Sequence, residues 1–185
     1  MRAALDRLYL VSGSLAALCL VAIAVMVGAQ LIGRIADGLM RLAGLRPFGF
    51  IVEGLVEIAG YLLAISSLLA LAPALRAGTH IRVSMLLSAL GPRPRWLFEL
   101  GAFAATFAFT AYMTWRMALL AVDSWRFNEV SHGLVPLPLV YPQAGMFVGL
   151  LIFTVALLDE LAIVAVEGRP SFAAAEEAIS LGNEG

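Results

Sequence analysis

An all-α membrane protein with four transmembrane helices is the fold class this sequence predicts, and three observations predict it. Residues 8–32, 50–75, 96–122 and 141–166 form four separate apolar stretches. Each meets the about 20 residues that a helix, rising about 1.5 Å per residue, needs to cross a hydrocarbon core of about 30 Å. The chain is 62% hydrophobic with a mean hydropathy of +0.94, which leaves only short loops and tails between the stretches and no room for a water-soluble catalytic domain. Charged residues are 14% of the chain, and few of them fall inside the stretches. Helices satisfy their own backbone hydrogen bonds in lipid, so the expectation is a single four-helix transmembrane domain over residues 1–170, packed as one compact bundle. An acidic tail at 171–185 follows it.

The first span opens behind Arg2 and Arg7, and Val27-Gly28-Ala29 at its far end could imitate a signal-peptide cleavage site. Its apolar run of about 25 residues is longer than the 7–15 of a signal h-region, and Asp6 interrupts the basic segment. It is therefore read as the first membrane helix. In the connection that follows, Arg34, Asp37 and Arg41 alternate with Ile35, Leu39, Met40 and Leu42 at near-helical spacing, up to Gly44 and Pro47. That pattern makes it a candidate interfacial helix between spans one and two.

The second span carries Glu53 and Glu57 near its start, four residues apart and so on one helical face. A pair so placed suits either a cation or proton site, or a structural role in which it reaches the outer interface, pairs with arginines such as Arg34, Arg46 or Arg116, or contacts another subunit. The connection after it, from Thr79 to Leu90, has an apolar majority with polar residues on one side and ends at Gly91-Pro92-Arg93-Pro94. It predicts an amphipathic helix lying along the membrane surface between spans two and three, stopped by the prolines.

Trp96 opens the third span and Trp125 follows it, as interfacial aromatics do. Trp115 lies deeper and is expected to pack. Arg116 lies about two turns from the outer end of this span, where its stem either carries the guanidinium to the headgroups or lets it pair with Glu53, Glu57 or a partner protein. Glu99 and the pair Asp159-Glu160 are shallow in their spans and read as interfacial anchors. Small residues such as Ser12, Gly13, Ser66 and Ser67 would let helices approach closely. Gly145-x-x-x-Gly149 in the fourth span is a candidate face for subunit contact.

All basic residues are arginines. Arg2, Arg7, Arg76, Arg82, Arg93, Arg95 and Arg169 fall on one side of the membrane, against Arg34, Arg41, Arg46 and Arg126 on the other. The richer side is the cytoplasmic one, so both termini are expected there. A net charge of −1 with no broad basic surface gives no nucleic-acid partner. A single cysteine, Cys19, builds neither a disulfide nor a thiolate cluster. His80 and His132 belong to connections on opposite sides of the membrane and cannot ligate one haem iron. No nucleophile with a base in reach, phosphate-cradling loop or metal-ligand spacing is present, so no enzyme activity and no bound cofactor are expected. The first span also lacks the central carboxylate a small proton-coupled exporter needs. These readings point to a subunit of something larger.

The segment Arg76-Ala77-Gly78-Thr79-His80-Ile81-Arg82-Val83 resembles the Arg-x-Gly-x-His-Ile-x-Val signature of the small membrane subunit of tripartite ATP-independent periplasmic (TRAP) transporters, and it sits between spans two and three as in that family. Glu53 resembles the acidic residue the family carries ahead of span two, and Ser131 to Gln143 resembles its polar-to-proline entry into span four. Ser84 stands where the family shows Asp, and Glu53-Gly54 replaces a paired acidic motif. The resemblance covers about residues 8–166. It implies a scaffold subunit in the bacterial inner membrane, in contact with lipid and partnered by a large membrane subunit and a periplasmic solute-binding protein. Sodium coupling and the organic-acid site would belong to the large partner. A membrane anchor for a redox enzyme complex is the alternative.

Overall fold

The computed structural model describes residues 2–77 and 92–167. The expected interfacial helix at 79–90 and the tail at 171–185 lie outside the described residues. Among the described residues there are four helices: α1 (Arg2–Leu42), α2 (Leu55–Arg76), α3 (Pro92–Phe127) and α4 (Val140–Glu167). All four are long and apolar enough to cross a membrane. Among the described residues the extended backbone pairs only in an isolated bridge between Val130 and Pro138.

Helix α1 does not stop at residue 32. Its 41 residues correspond to about 60 Å of helix, roughly twice the hydrocarbon thickness. The candidate interfacial segment after residue 32 is instead the last turns of this continuous helix, which runs through Gly33 and Gly38 and ends only at Gly44. There the end is decisive. Gly44 takes φ 71°, its N–H donates to the Arg41 carbonyl at 3.1 Å, and the Leu45 N–H donates to the Met40 carbonyl at 2.8 Å. That is a Schellman stop.

The chain then folds back along α1. The Asp37 carboxylate accepts from the Phe48 N–H at 2.7 Å and from the Gly49 N–H at 3.0 and 3.1 Å. Phe50 lies so close to Gly33 that a Cβ there would come within 2.8 Å of its ring. Gly49 and Gly54 both have positive φ, so residues 50–54 remain outside α2, which begins five residues later than the apolar run suggests.

Helix α2 runs antiparallel to α1, and the seam between them is built on backbone carbonyls. Pro73 lies inside α2 and has no N–H to give to the Leu69 carbonyl four residues back. Ser12 of α1 fills that place, its hydroxyl donating to the Leu69 carbonyl at 2.6 Å. Gly13 lets the Pro73 ring approach, with a Cβ there 3.4 Å from Cγ. One turn along, Ser66 donates back to the Ala16 carbonyl at 3.0 Å. Two helices thus exchange hydroxyl donors at membrane depth, where water is not at hand to supply them.

Helix α4 runs parallel to α2, and α3 runs antiparallel to α4. The contacts define an open row in the order α1, α2, α4, α3, with only a slight touch between α1 and α4 and no comparable packing of α3 on α1 or α2. This corrects the expectation of a compact bundle: the row is one helix thick. Its core is the central seam, where Leu69, Ala72, Ala156, Leu157 and Val164 are buried. Along α3 and α4, Thr114 and Thr154 share a hydrogen bond at 2.9 Å, and the Trp96 indole donates to the Val164 carbonyl at 3.1 Å. Trp115, expected to pack, is 64% exposed.

Candidate functional site

The polar side chains collect at the two ends of the row. At one end, the last turn of α2 presents Arg76, a position where the helix dipole favours a cation. Its guanidinium meets Asp6 of α1 at 2.5 Å, Glu160 of α4 at 3.6 Å and Asp159 at 3.8 Å. It also lies 5.6 Å from the centre of the Tyr9 ring, a cation–π distance. One arginine therefore ties three helices. The carboxylates differ in setting: the Asp6 side chain is 57% exposed, whereas Glu160 has no exposure. A carboxylate so enclosed is held by its ion pair, because burying a charge is expensive unless it is paired.

Glu99, from the first turns of α3, is buried as well. The reading of Glu99, Asp159 and Glu160 as interfacial anchors is thereby corrected for Glu99 and Glu160, which turn into the protein. Sequence position showed their depth along the span but not the direction they face. The signal that was present is the coincidence of Asp6, Arg76, Glu99 and Glu160 at matching ends of their four helices.

Of the signature residues, Arg76 is the one whose side chain the structure places in this cluster. Gly78, His80, Ile81, Arg82 and Val83 lie outside the described residues.

At the opposite end, Glu57 lies in the first turn of α2, and its Oε1 accepts from the Tyr61 hydroxyl at 3.0 Å. Its Oε2 is buried without a hydrogen-bond partner. Gly133 closes over it, and a Cβ on that glycine would fall on the carboxylate. The loop containing Gly133 is held in shape by Ser131. Its hydroxyl donates to the Val135 carbonyl and accepts from the Leu137 N–H, both at 3.2 Å, while its own N–H donates to the Leu137 carbonyl at 2.8 Å. Val135 in turn packs on Gly54.

Glu53 is exposed in the turn before α2 begins. The two glutamates consequently do not share a helical face, because the residues between them include Gly54 at positive φ. Arg116 is exposed on α3, which does not pack on α2, so it is not brought to Glu53 or Glu57. Gly145 and Gly149 do mediate a close approach, but within the chain. A Cβ on Gly145 would meet Ile65 at 2.8 Å, and one on Gly149 would meet the Leu68 and Leu69 backbone at 2.9 Å. Gly149 is buried in that seam and presents no surface to another subunit.

Among the described residues no group of His, Cys, Asp and Glu is arranged to hold a metal ion. The two polar ends can fasten helices and loops, and among the described residues neither opens on an enclosed solute chamber, since the four helices pack as a row one helix thick. Residues 23–166 match the family model described as tripartite ATP-independent periplasmic transporters, DctQ component. No curated protein and no solved structure matches the chain.

Proposed function

Because the chain belongs to the DctQ component family of tripartite ATP-independent periplasmic transporters, we propose that it is the small scaffold subunit of a sodium-coupled importer of an organic acid. The large membrane subunit carries the solute and sodium sites, and a periplasmic binding protein delivers the solute. This chain stands beside the large subunit as part of the fixed frame against which the moving part works. It sits in the bacterial inner membrane with both termini, and hence the Arg76 end, on the cytoplasmic side.

The observation that carries this reading is the open row. Four apolar helices laid side by side leave both broad faces and both edges outward, with Leu10, Leu18, Val25, Phe109, Tyr112 and Trp115 all more than half exposed. A carrier that moves a charged solute by itself has to enclose a polar path between its helices. A row instead offers area, to lipid and to another membrane protein. The seams within it are fastened by hydroxyl–carbonyl bonds and by Arg76, which suits a frame that keeps its shape. Nothing found favours the redox-anchor alternative.

The test is gentle detergent extraction of the tagged chain from its native membrane, followed by mass spectrometry of stoichiometric partners and an absorbance scan. Recovery with one large polytopic membrane protein and no haem band is the expected result. Recovery alone, or with a haem-bearing partner, overturns the reading.

A further inference from the structure

The two edges of the row make different demands on what surrounds them. Along α1 the outward residues at lipid depth are Leu10, Leu18, Val21 and Val25, aliphatic side chains that lipid tails solvate as they stand. Along α3 the outward residues include Phe109, Tyr112, Trp115 and the cation Arg116.

Arg116 lies eleven residues, about 16 Å of helix, from the end of α3 at Phe127, and seven residues, about 10 Å, from Asp123, the nearest acidic residue on its own face of the helix. Its level can also be read from α4. Thr154 is at the middle of the 28 residues of that helix and bonds Thr114 of α3, and Arg116 is two residues, about 3 Å of rise, from Thr114. With the centre of α4 at the centre of the membrane, Arg116 is about 3 Å outward of it and the nearer headgroups begin about 12 Å away, farther than one side chain reaches. Its neighbours one turn away on α3 are Tyr112, Met113, Leu119 and Leu120, none of them acidic. Among the described residues no carboxylate pairs with it. Insertion disfavours a cation facing lipid at this depth, a cost that a carboxylate opposite would relieve.

We propose that the α3 face formed by Tyr112, Arg116 and Leu119 is the surface on which the large membrane subunit docks, through a transmembrane helix that sets a carboxylate against the Arg116 guanidinium. The inference rests on the scaffold role proposed above and adds to it which edge meets protein and which meets lipid. Tyr112 and Leu119 flank the ion pair one turn to either side and keep lipid from it.

Two measurements test it in native membranes. In the first, a benzophenone amino acid replaces Tyr112 in one strain and Val21 of α1 in another, and the products of irradiation are identified. The Tyr112 position is expected to give a covalent adduct with the large subunit, and the Val21 position adducts with lipid. Adducts from Tyr112 with lipid alone, or with a second copy of this chain, overturn the inference. In the second, Arg116→Glu is expected to reduce recovery of the large subunit at least tenfold, with the level of this chain in the membrane unchanged, while Arg116→Lys retains most of it. Full recovery with Arg116→Glu overturns the inference and leaves the scaffold role standing. Failure of the unaltered chain to recover a large membrane subunit defeats both.

Discussion

The Ser12 hydroxyl lies 2.6 Å from the Leu69 carbonyl, the acceptor that Pro73 leaves without its helical donor. This bond explains why a proline is tolerated near the end of a membrane helix: the neighbouring helix supplies the hydrogen that the proline ring removes. It also makes the two positions energetically dependent on each other. Ser12→Ala is expected to lower the stability of the chain in detergent by about 1–2 kcal/mol. In a Pro73→Ala background the same change should cost much less, because an alanine at that position restores the backbone N–H. Equal costs in both backgrounds, measured by a double-mutant cycle, would refute the dependence.

The α2–α4 seam gives a steric prediction. Gly149→Ala places a Cβ 2.9 Å from the Leu68 and Leu69 backbone, which cannot move aside as a flexible side chain would. The expected loss is about 1–3 kcal/mol. Gly28→Ala in α1 meets no atom within 4 Å and should be close to neutral. A thermal-unfolding series in one detergent compares them.

At the Arg76 end, distance and importance run in opposite directions. Asp6 makes the shorter contact, yet its side chain is more than half exposed, so Asp6→Asn should cost at most about 1 kcal/mol. Arg76→Leu strips a cation from beside Glu160, which has no exposure, and should cost clearly more than Asp6→Asn. It should also lower the amount of folded chain recovered from the membrane. A larger effect from Asp6→Asn than from Arg76→Leu would contradict the assignment of Glu160 as the partner that matters.

At the other end, Gly133→Ala drives a methyl into the Glu57 carboxylate. The atoms it meets are the free end of a flexible side chain, so the expected result is rotation of the carboxylate with loss of the Tyr61–Glu57 hydrogen bond, at a smaller cost in thermal stability than Gly149→Ala. Gly133→Ala should add little cost in a Glu57→Ala background, since the shorter side chain vacates the space.

Much of this architecture is legible in the amino-acid order, and the parts that are not share a cause. Four spans follow from length and apolarity, and Gly44 marks the true end of α1. The reading of 34–42 as a separate interfacial helix failed because helical spacing of Arg34, Asp37 and Arg41 describes a helix without saying whether it is new or continued. The order of helices in the row could not be read, since a leucine facing lipid and a leucine facing a helix satisfy the same composition. For the same reason Gly149 looked available to another subunit and is used internally, and Glu160 looked shallow and is enclosed. The Ser12–Pro73 relation was present as two residue types, but only the antiparallel register of α1 and α2 brings them together.

The central claim is that this chain frames a transporter whose coupling site lies elsewhere. The most direct measurement is sodium-dependent uptake by the assembled complex carrying Glu53→Gln and Glu57→Gln in this chain. Uptake that still rises with sodium, with assembly intact, is the result the account predicts. Loss of sodium dependence while the complex remains assembled would place the coupling site here and contradict it.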